Sequence, residues 1–191
     1  MKRVAQIISR VFDPIIEVPL LLTLTVWYAY VNGMGWQFLV ILLFVDTVLP
    51  FLFFLHLLRK HEVDSWDISR REQRIPVYGF TMLAHLAGVG VAFLTGRMQV
   101  VQILFVFWLL GMLFFAITTF WKVSVHAGVN AGLVTFLVLV AGPAYAWLYL
   151  LLVPVGWARV YSKNHSLGEF AVGSVLATGG LWGGFWLFGL T

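Results

Sequence analysis

The chain has 191 residues, 61% of them hydrophobic and only 10% charged, with a formal net charge of +4. A soluble domain of this length needs far more polar surface, so the composition excludes the ordinary soluble classes and points to a chain solvated by lipid. Nucleic acid is not the expected partner of the basic balance, which positive-inside loops and anionic headgroups account for; disulfides are excluded because the chain has no cysteine.

In chain order, the first 17 residues read as an amphipathic interfacial lead-in, with Arg3 and Arg10 polar and Val4, Ile7, Ile8 and Val11 apolar. Asp13, Pro14 and Glu17 interrupt the early sequence, so no cleavable signal peptide is expected. A helix needs about 20 apolar residues to cross about 30 Å of hydrocarbon. Apolar runs predict spans near 18–34, 36–58, 77–95, 98–121, 126–141, 143–158 and 169–189. Tight turns are expected at Gly33-Met34-Gly35 and Thr95-Gly96-Arg97.

Residues 127–158 would be about 48 Å long as one helix, too long for one ordinary span. Ala141-Gly142-Pro143-Ala144 lies in the middle, where Gly and Pro favour a break and a return. The expected fold is therefore an all-α polytopic membrane bundle of about six to seven transmembrane helices, with residues 1–191 forming one domain. Of the twelve Lys and Arg, all but Arg97 fall in alternate gaps between the apolar runs. By the positive-inside rule, that face and the N-terminus are expected to be cytoplasmic.

Three stretches on the basic side carry residues suited to chemistry. The loop after the second span holds Asp64, Asp67, Arg70, Arg71 and Arg74, followed by Ile75-Pro76. Arg70 and Arg74 are one helical turn apart on a face shared with Asp67, and guanidinium forks suit phosphate; a solvated loop with local ion pairs is the plainer alternative. The second stretch is Lys122-Val123-Ser124-Val125-His126, where a histidine near neutral pKa suits proton donation, or simple interfacial capping. The third runs from Arg159 through His165 to Glu169. Glu169 at i+4 brings a carboxylate beside the imidazole, the arrangement expected of a histidine nucleophile. Asp46 and His85 fall mid-span, where they pair with each other, line a groove, or serve structure; structure is the favoured reading.

Together the three stretches resemble the signature of the type 2 phosphatidic acid phosphatase superfamily, the lipid phosphate phosphatases and their haloperoxidase relatives. That pattern is Lys-x6-Arg-Pro, Pro-Ser-Gly-His, then Ser-Arg-x5-His-x3-Asp. The third block is matched by Arg159-x5-His165-x3-Glu169, the second is reduced to Ser124-Val125-His126, and the first to Asp67-x6-Arg74 before Ile75-Pro76. The resemblance implies a lipid phosphate or polyprenyl (di)phosphate as substrate and His165 as a nucleophile forming a phosphohistidine. Glu169 would orient His165, His126 would act as general acid, and Arg74, Arg159 and Ser124 would hold phosphoryl oxygens. Ala158 stands where the family has Ser, Val125 where it has Gly, and Asp67 where it has a phosphate-binding Lys. Arg70 is the cation available to replace that lysine. No cofactor is expected, with Mg²⁺ as the alternative if Asp64 and Asp67 hold a metal that bridges a diphosphate. The competing functions are a Mg-dependent lipid phosphotransferase or prenyltransferase, and a non-enzymatic transporter or lipid-binding membrane protein.

Overall fold

The computed structural model describes residues 1–30, 35–68 and 70–190. Regular structure among them is helical throughout. The elements are α1 (Lys2–Val11), α2 (Pro14–Ala29), α3 (Trp36–Leu43), a π-helical turn (Phe44–Val48) and α4 (Leu49–Arg59). They continue with α5 (Arg74–Leu94), α6 (Met98–Thr118), α7 (Val125–Ala141), a 3₁₀ segment (Pro143–Leu151), α8 (Leu152–Tyr161) and α9 (Leu167–Leu187). Among the described residues, four continuous stretches are long and apolar enough to cross a membrane: Trp36–Arg59, Arg74–Leu94, Met98–Thr118 and Leu167–Leu187. The expected turn at Gly33-Met34-Gly35 and the end of the first expected span lie outside the described residues, Gly35 apart.

The contacts divide the chain into two compact units, residues 1–21 with 122–191, and residues 22–121. In the first, α7 and α9 pack closely, and a Cβ on Gly173 would lie 2.6 Å from the Ser124 carbonyl oxygen. Phe136 and Phe185, both fully buried, meet edge to face at 6.0 Å. The break expected at Ala141–Ala144 is where α7 ends. Gly142 adopts φ +105°, ψ 167°, a conformation essentially confined to glycine, and Pro143 opens the next segment. Beyond it the chain folds back on α7, because Thr135 Oγ1 lies 2.7 Å from the Tyr149 hydroxyl. In one straight helix those residues would be about 21 Å apart. By Val155 the return is complete, for Val155 shares a buried cluster with Ala127 and Phe170.

Helix α1 lies against α8. It buries its small residues, Ala5 and Ser9, while Val4, Ile7 and Val11 face outward. An outward apolar stripe beside Arg3 and Arg10 is the pattern of a helix lying in a membrane interface. Asp13 Oδ1 accepts from the Ile15 amide at 3.0 Å and Pro14 opens α2, the usual Asp-Pro start of a helix.

In the second unit, α5 and α6 form a hairpin through Thr95-Gly96, with Gly96 at φ +69°. Arg97, the one cation outside the basic gaps, sits over the Tyr30 ring at 4.8 Å. Pro50 lacks the amide that would donate to Asp46, and the ladder slips to i→i+5 just before it, with Leu49 N–H donating to Phe44 O. The Asp46 carboxylate in that π turn lies 2.8 Å from His85 Nδ1, and His85 Nε2 lies 2.9 Å from Leu104 O. The mid-span pair is thus a link joining three helical stretches. Gly88 leaves room for it, since a Cβ there would lie 2.7 Å from Asp46 Oδ1.

Candidate functional site

Of the predicted site residues, Ser124, His126, Arg159, His165 and Glu169 belong to the first unit, and Asp64, Asp67, Arg70 and Arg74 to the second. The geometry of the first five begins with the start of α9. Ser166 caps that helix, its hydroxyl accepting from Glu169 N at 3.2 Å while Ser166 N donates to Glu169 Oε2 at 3.1 Å. This reciprocal capping box fixes the carboxylate before any chemistry is asked of it. The same Oε2 lies 2.9 Å from His165 Nδ1, so the i+4 pairing expected from the sequence is formed, although His165 itself stands just outside the helix.

The turn carrying His165 is held from several directions. Asn164 N and His165 N both donate to Arg159 O, at 3.1 and 3.3 Å. Lys122 Nζ donates to Asn164 O at 2.7 Å, and Lys163 takes the left-handed conformation, φ 57°, that closes the turn. The His165 side chain is 1% exposed and Arg159 is 2% exposed. A carboxylate only accepts, so an ionised Glu169 accepts a hydrogen bond from Nδ1–H and leaves Nε2 of a neutral ring with its lone pair. Such a pairing fixes tautomer and orientation and raises the basicity of the ring.

Ser124 joins α7 to this arrangement. Its amide donates to Glu169 O at 3.3 Å, while its buried hydroxyl accepts from Ala127 N at 3.3 Å and caps α7. The starts of α7 and α9 therefore lie side by side, and both helix dipoles present their positive ends at the end of the unit that holds His126 and His165. Two positive helix ends with Arg159 and Lys122 make this end of the unit favourable to an anion.

His126 has a partner the sequence reading did not anticipate. Its Nε2 lies 3.7 Å from Asp13 Oδ2, with both side chains 13% exposed. Arg10 Nη1 approaches the same oxygen at 3.7 Å. Burial works to raise the Asp13 pKa, but the neighbouring His126, the hydrogen bond from the Ile15 amide and the Arg10 charge outweigh it. The Asp13 carboxyl is thereby held below its ordinary value. Asn130, also missed, donates from Nδ2 to Phe12 O at 3.2 Å and to His126 O at 2.8 Å, tying the α1–α2 junction to α7. The Asp13-Pro14 dipeptide signalled a helix start, but nothing local signalled its partner.

In the second unit the loop before α5 is irregular, and the helix begins only at Arg74. The helical face expected to join Asp67, Arg70 and Arg74 is therefore not formed. Arg74 is 6% exposed and donates from Nε to Ile68 O at 2.9 Å. The Arg70 side chain is 70% exposed and faces Asp64 at 3.8 Å. The reason lies in packing: Val63 is buried against Phe54 and Leu57 with Ile68 beside it, and this pulls the loop inward instead of letting it coil. Ser65 Oγ donates to Asp67 O at 3.2 Å. Among the described residues, no three His, Asp or Glu side chains gather as a metal site. No protein-family model, curated protein or solved structure matches the chain.

Proposed function

We propose that the chain is a membrane-embedded phosphatase that removes phosphate from a lipid phosphate or polyprenyl (di)phosphate through a phosphohistidine. The observation that carries the reading is the 2.9 Å His165–Glu169 pair, built on a capping box, with His165 N donating to the carbonyl of buried Arg159 at 3.3 Å. In the reaction His165 Nε2 attacks phosphorus and an N–P bond forms as the P–O bond to the lipid breaks. The departing oxygen takes a proton from His126. Water, giving its proton back to His126, then attacks phosphorus, the N–P bond breaks, and phosphate leaves with His165 restored. Glu169 keeps the ring in register throughout, and Arg159 holds the equatorial oxygens with bidentate hydrogen bonds. The family resemblance adds Ser124, in the same unit, as a further holder of phosphoryl oxygens. The reaction as written uses no cofactor.

The reading includes a bundle of six to seven spans with the N-terminus and site facing the cytoplasm. Its support is the return of the chain at Gly142. Nine 3₁₀ residues at about 2.0 Å each and ten α residues at about 1.5 Å each make residues 143–161 about 33 Å long, close to the hydrocarbon thickness. The 3₁₀ stretch thus lets 19 residues do the work of a longer α-helix.

The test is phosphate release from purified protein with phosphatidic acid, polyprenyl phosphate and polyprenyl diphosphate, with and without chelator. Chelator-resistant release supports the reading. Release abolished by chelator would move the assignment to a metal-dependent phosphotransferase using Asp64 and Asp67, and lipid transport without turnover would make the chain a carrier.

A further inference from the structure

We propose that Asp13 is a positioning residue for His126, its carboxylate holding the ring in place and stabilising the imidazolium that gives up the proton. This rests on the phosphatase reading, in which His126 is the general acid, and adds to it a carboxylate from the opposite end of the sequence.

The placement is built into the backbone. Asp13 Oδ1 is occupied by the Ile15 amide at 3.0 Å, and this turns Oδ2 toward His126 Nε2 at 3.7 Å. Asn130 bonds Phe12 O and His126 O at once, so the residue before Asp13 is tied to the carbonyl of His126 itself. Phe12 and Ile8 pack on the cluster of Ala127, Val155 and Phe170, which carries the same junction. Two helices are thus locked together at the point where the two side chains meet, and the pairing does not depend on a surface rotamer.

The charges around the pair set the balance. Helix α1 contributes Arg10, which approaches Asp13 Oδ2 from the solvent side with a side chain 57% exposed. Helix α2 contributes Glu17, one turn beyond Asp13 and buried at 5% exposure. Helix α8 carries Arg159 in its last turn, and the His165–Glu169 pair lies at the start of α9. An opposite charge within about 4–6 Å favours the charged form of a histidine, and the Asp13 carboxylate lies within that range of His126 at 3.7 Å. A protonated His126 is what the first step consumes and what the second step regenerates.

The experiment is histidine-selective NMR on the full chain in lipid nanodiscs, with the His126 signal assigned from H126Q. Asp13→Asn keeps an oxygen for the Ile15 amide and removes the charge. The His126 titration midpoint should fall by about one pH unit, a tenfold loss of proton affinity. An unchanged midpoint overturns the proposal. If D13N fails to fold, Arg10→Gln serves in its place, with the midpoint expected to rise; a midpoint that stays or falls overturns the proposal. Phosphate release from phosphatidic acid vesicles across pH is the second readout. In D13N the alkaline limb of kcat should move to lower pH by the same interval, whereas a purely structural defect would lower kcat evenly. A moved midpoint with an unmoved limb overturns the role in the reaction. A moved midpoint in a protein that releases no phosphate at any pH leaves the pairing standing and defeats the phosphatase reading instead.

Discussion

His165 and His126 differ in what surrounds them, and substitutions should separate their roles. His165→Ala removes the attacking nitrogen, so phosphate release should vanish and no acid-labile phosphoenzyme should form with labelled substrate. His126→Ala keeps the nucleophile. General acid catalysis is worth about 10²–10⁴-fold, so a residual rate of that order should remain and rise on a substrate with a better leaving group. Full activity in His165→Ala would end the mechanism. Glu169→Gln should fall between them, since an amide still reaches the capped turn but loses the charge on Nδ1. Asp13 adds a pH dependence of stability. Its carboxyl is lowered in the fold, so its contribution is complete above the unfolded value near 3.8 and is lost as pH falls through the lower folded value. D13N should therefore remove some of the loss of folding stability seen on acidification below about pH 4.

At the scale of elements, close backbone approach holds the site together. Gly173 faces the Ser124 carbonyl, whose own amide bonds Glu169 O, so α9 has no room for a side chain there. Gly173→Ala should cost about 1–3 kcal/mol by overpacking, read as a lower melting temperature in detergent, with phosphate release falling further than stability alone predicts. Gly142→Ala should cost a similar amount, about 1–3 kcal/mol, because φ +105° with ψ 167° admits no Cβ comfortably. In the second unit Leu104 O can only accept, so His85 Nε2 carries a proton, and one further proton lies between Nδ1 and Asp46. The pair is neutral overall wherever that proton sits, which suits a buried mid-span site. His85→Leu strands a buried acid and should cost about 3–5 kcal/mol, whereas Asp46→Asn keeps a donor for Nδ1 and should cost much less. Equal melting losses in the two variants would contradict the shared-proton arrangement.

For the whole molecule, the return at Gly142 brings residues 122 and 164 to the same end of the first unit, where Lys122 Nζ meets Asn164 O. Single cysteines at Trp121 and Lys163, both exposed, should therefore give one labelling result with an impermeant thiol reagent on intact cells: protection. A cysteine at exposed Arg97 should be labelled. Labelling at 163 with protection at 121 would contradict the topology in the proposed function. Val123 is a poorer probe because it is fully buried.

What the sequence by itself determined is what neighbouring residues decide between them. Hydropathy over 20 residues marks the apolar helices, Gly142-Pro143 marks the break, and the i+4 spacing of His165 and Glu169 marks a pair that forms once α9 starts at Ser166. The tertiary structure alone decided the rest. Asp13 meets His126 because α1 packs on α8 and Asn130 ties Phe12 to α7, a bond spanning 118 residues that no local pattern encodes. Arg70 and Arg74 part company because Val63 and Ile68 pull their loop into an apolar cluster, overriding the helical spacing. Asp46 and His85 had a composition that allowed pairing, but only the π turn before Pro50 and the gap at Gly88 bring them within 2.8 Å. Local patterns set which elements form; the burial of apolar surface then sets which distant polar groups are forced to share a site.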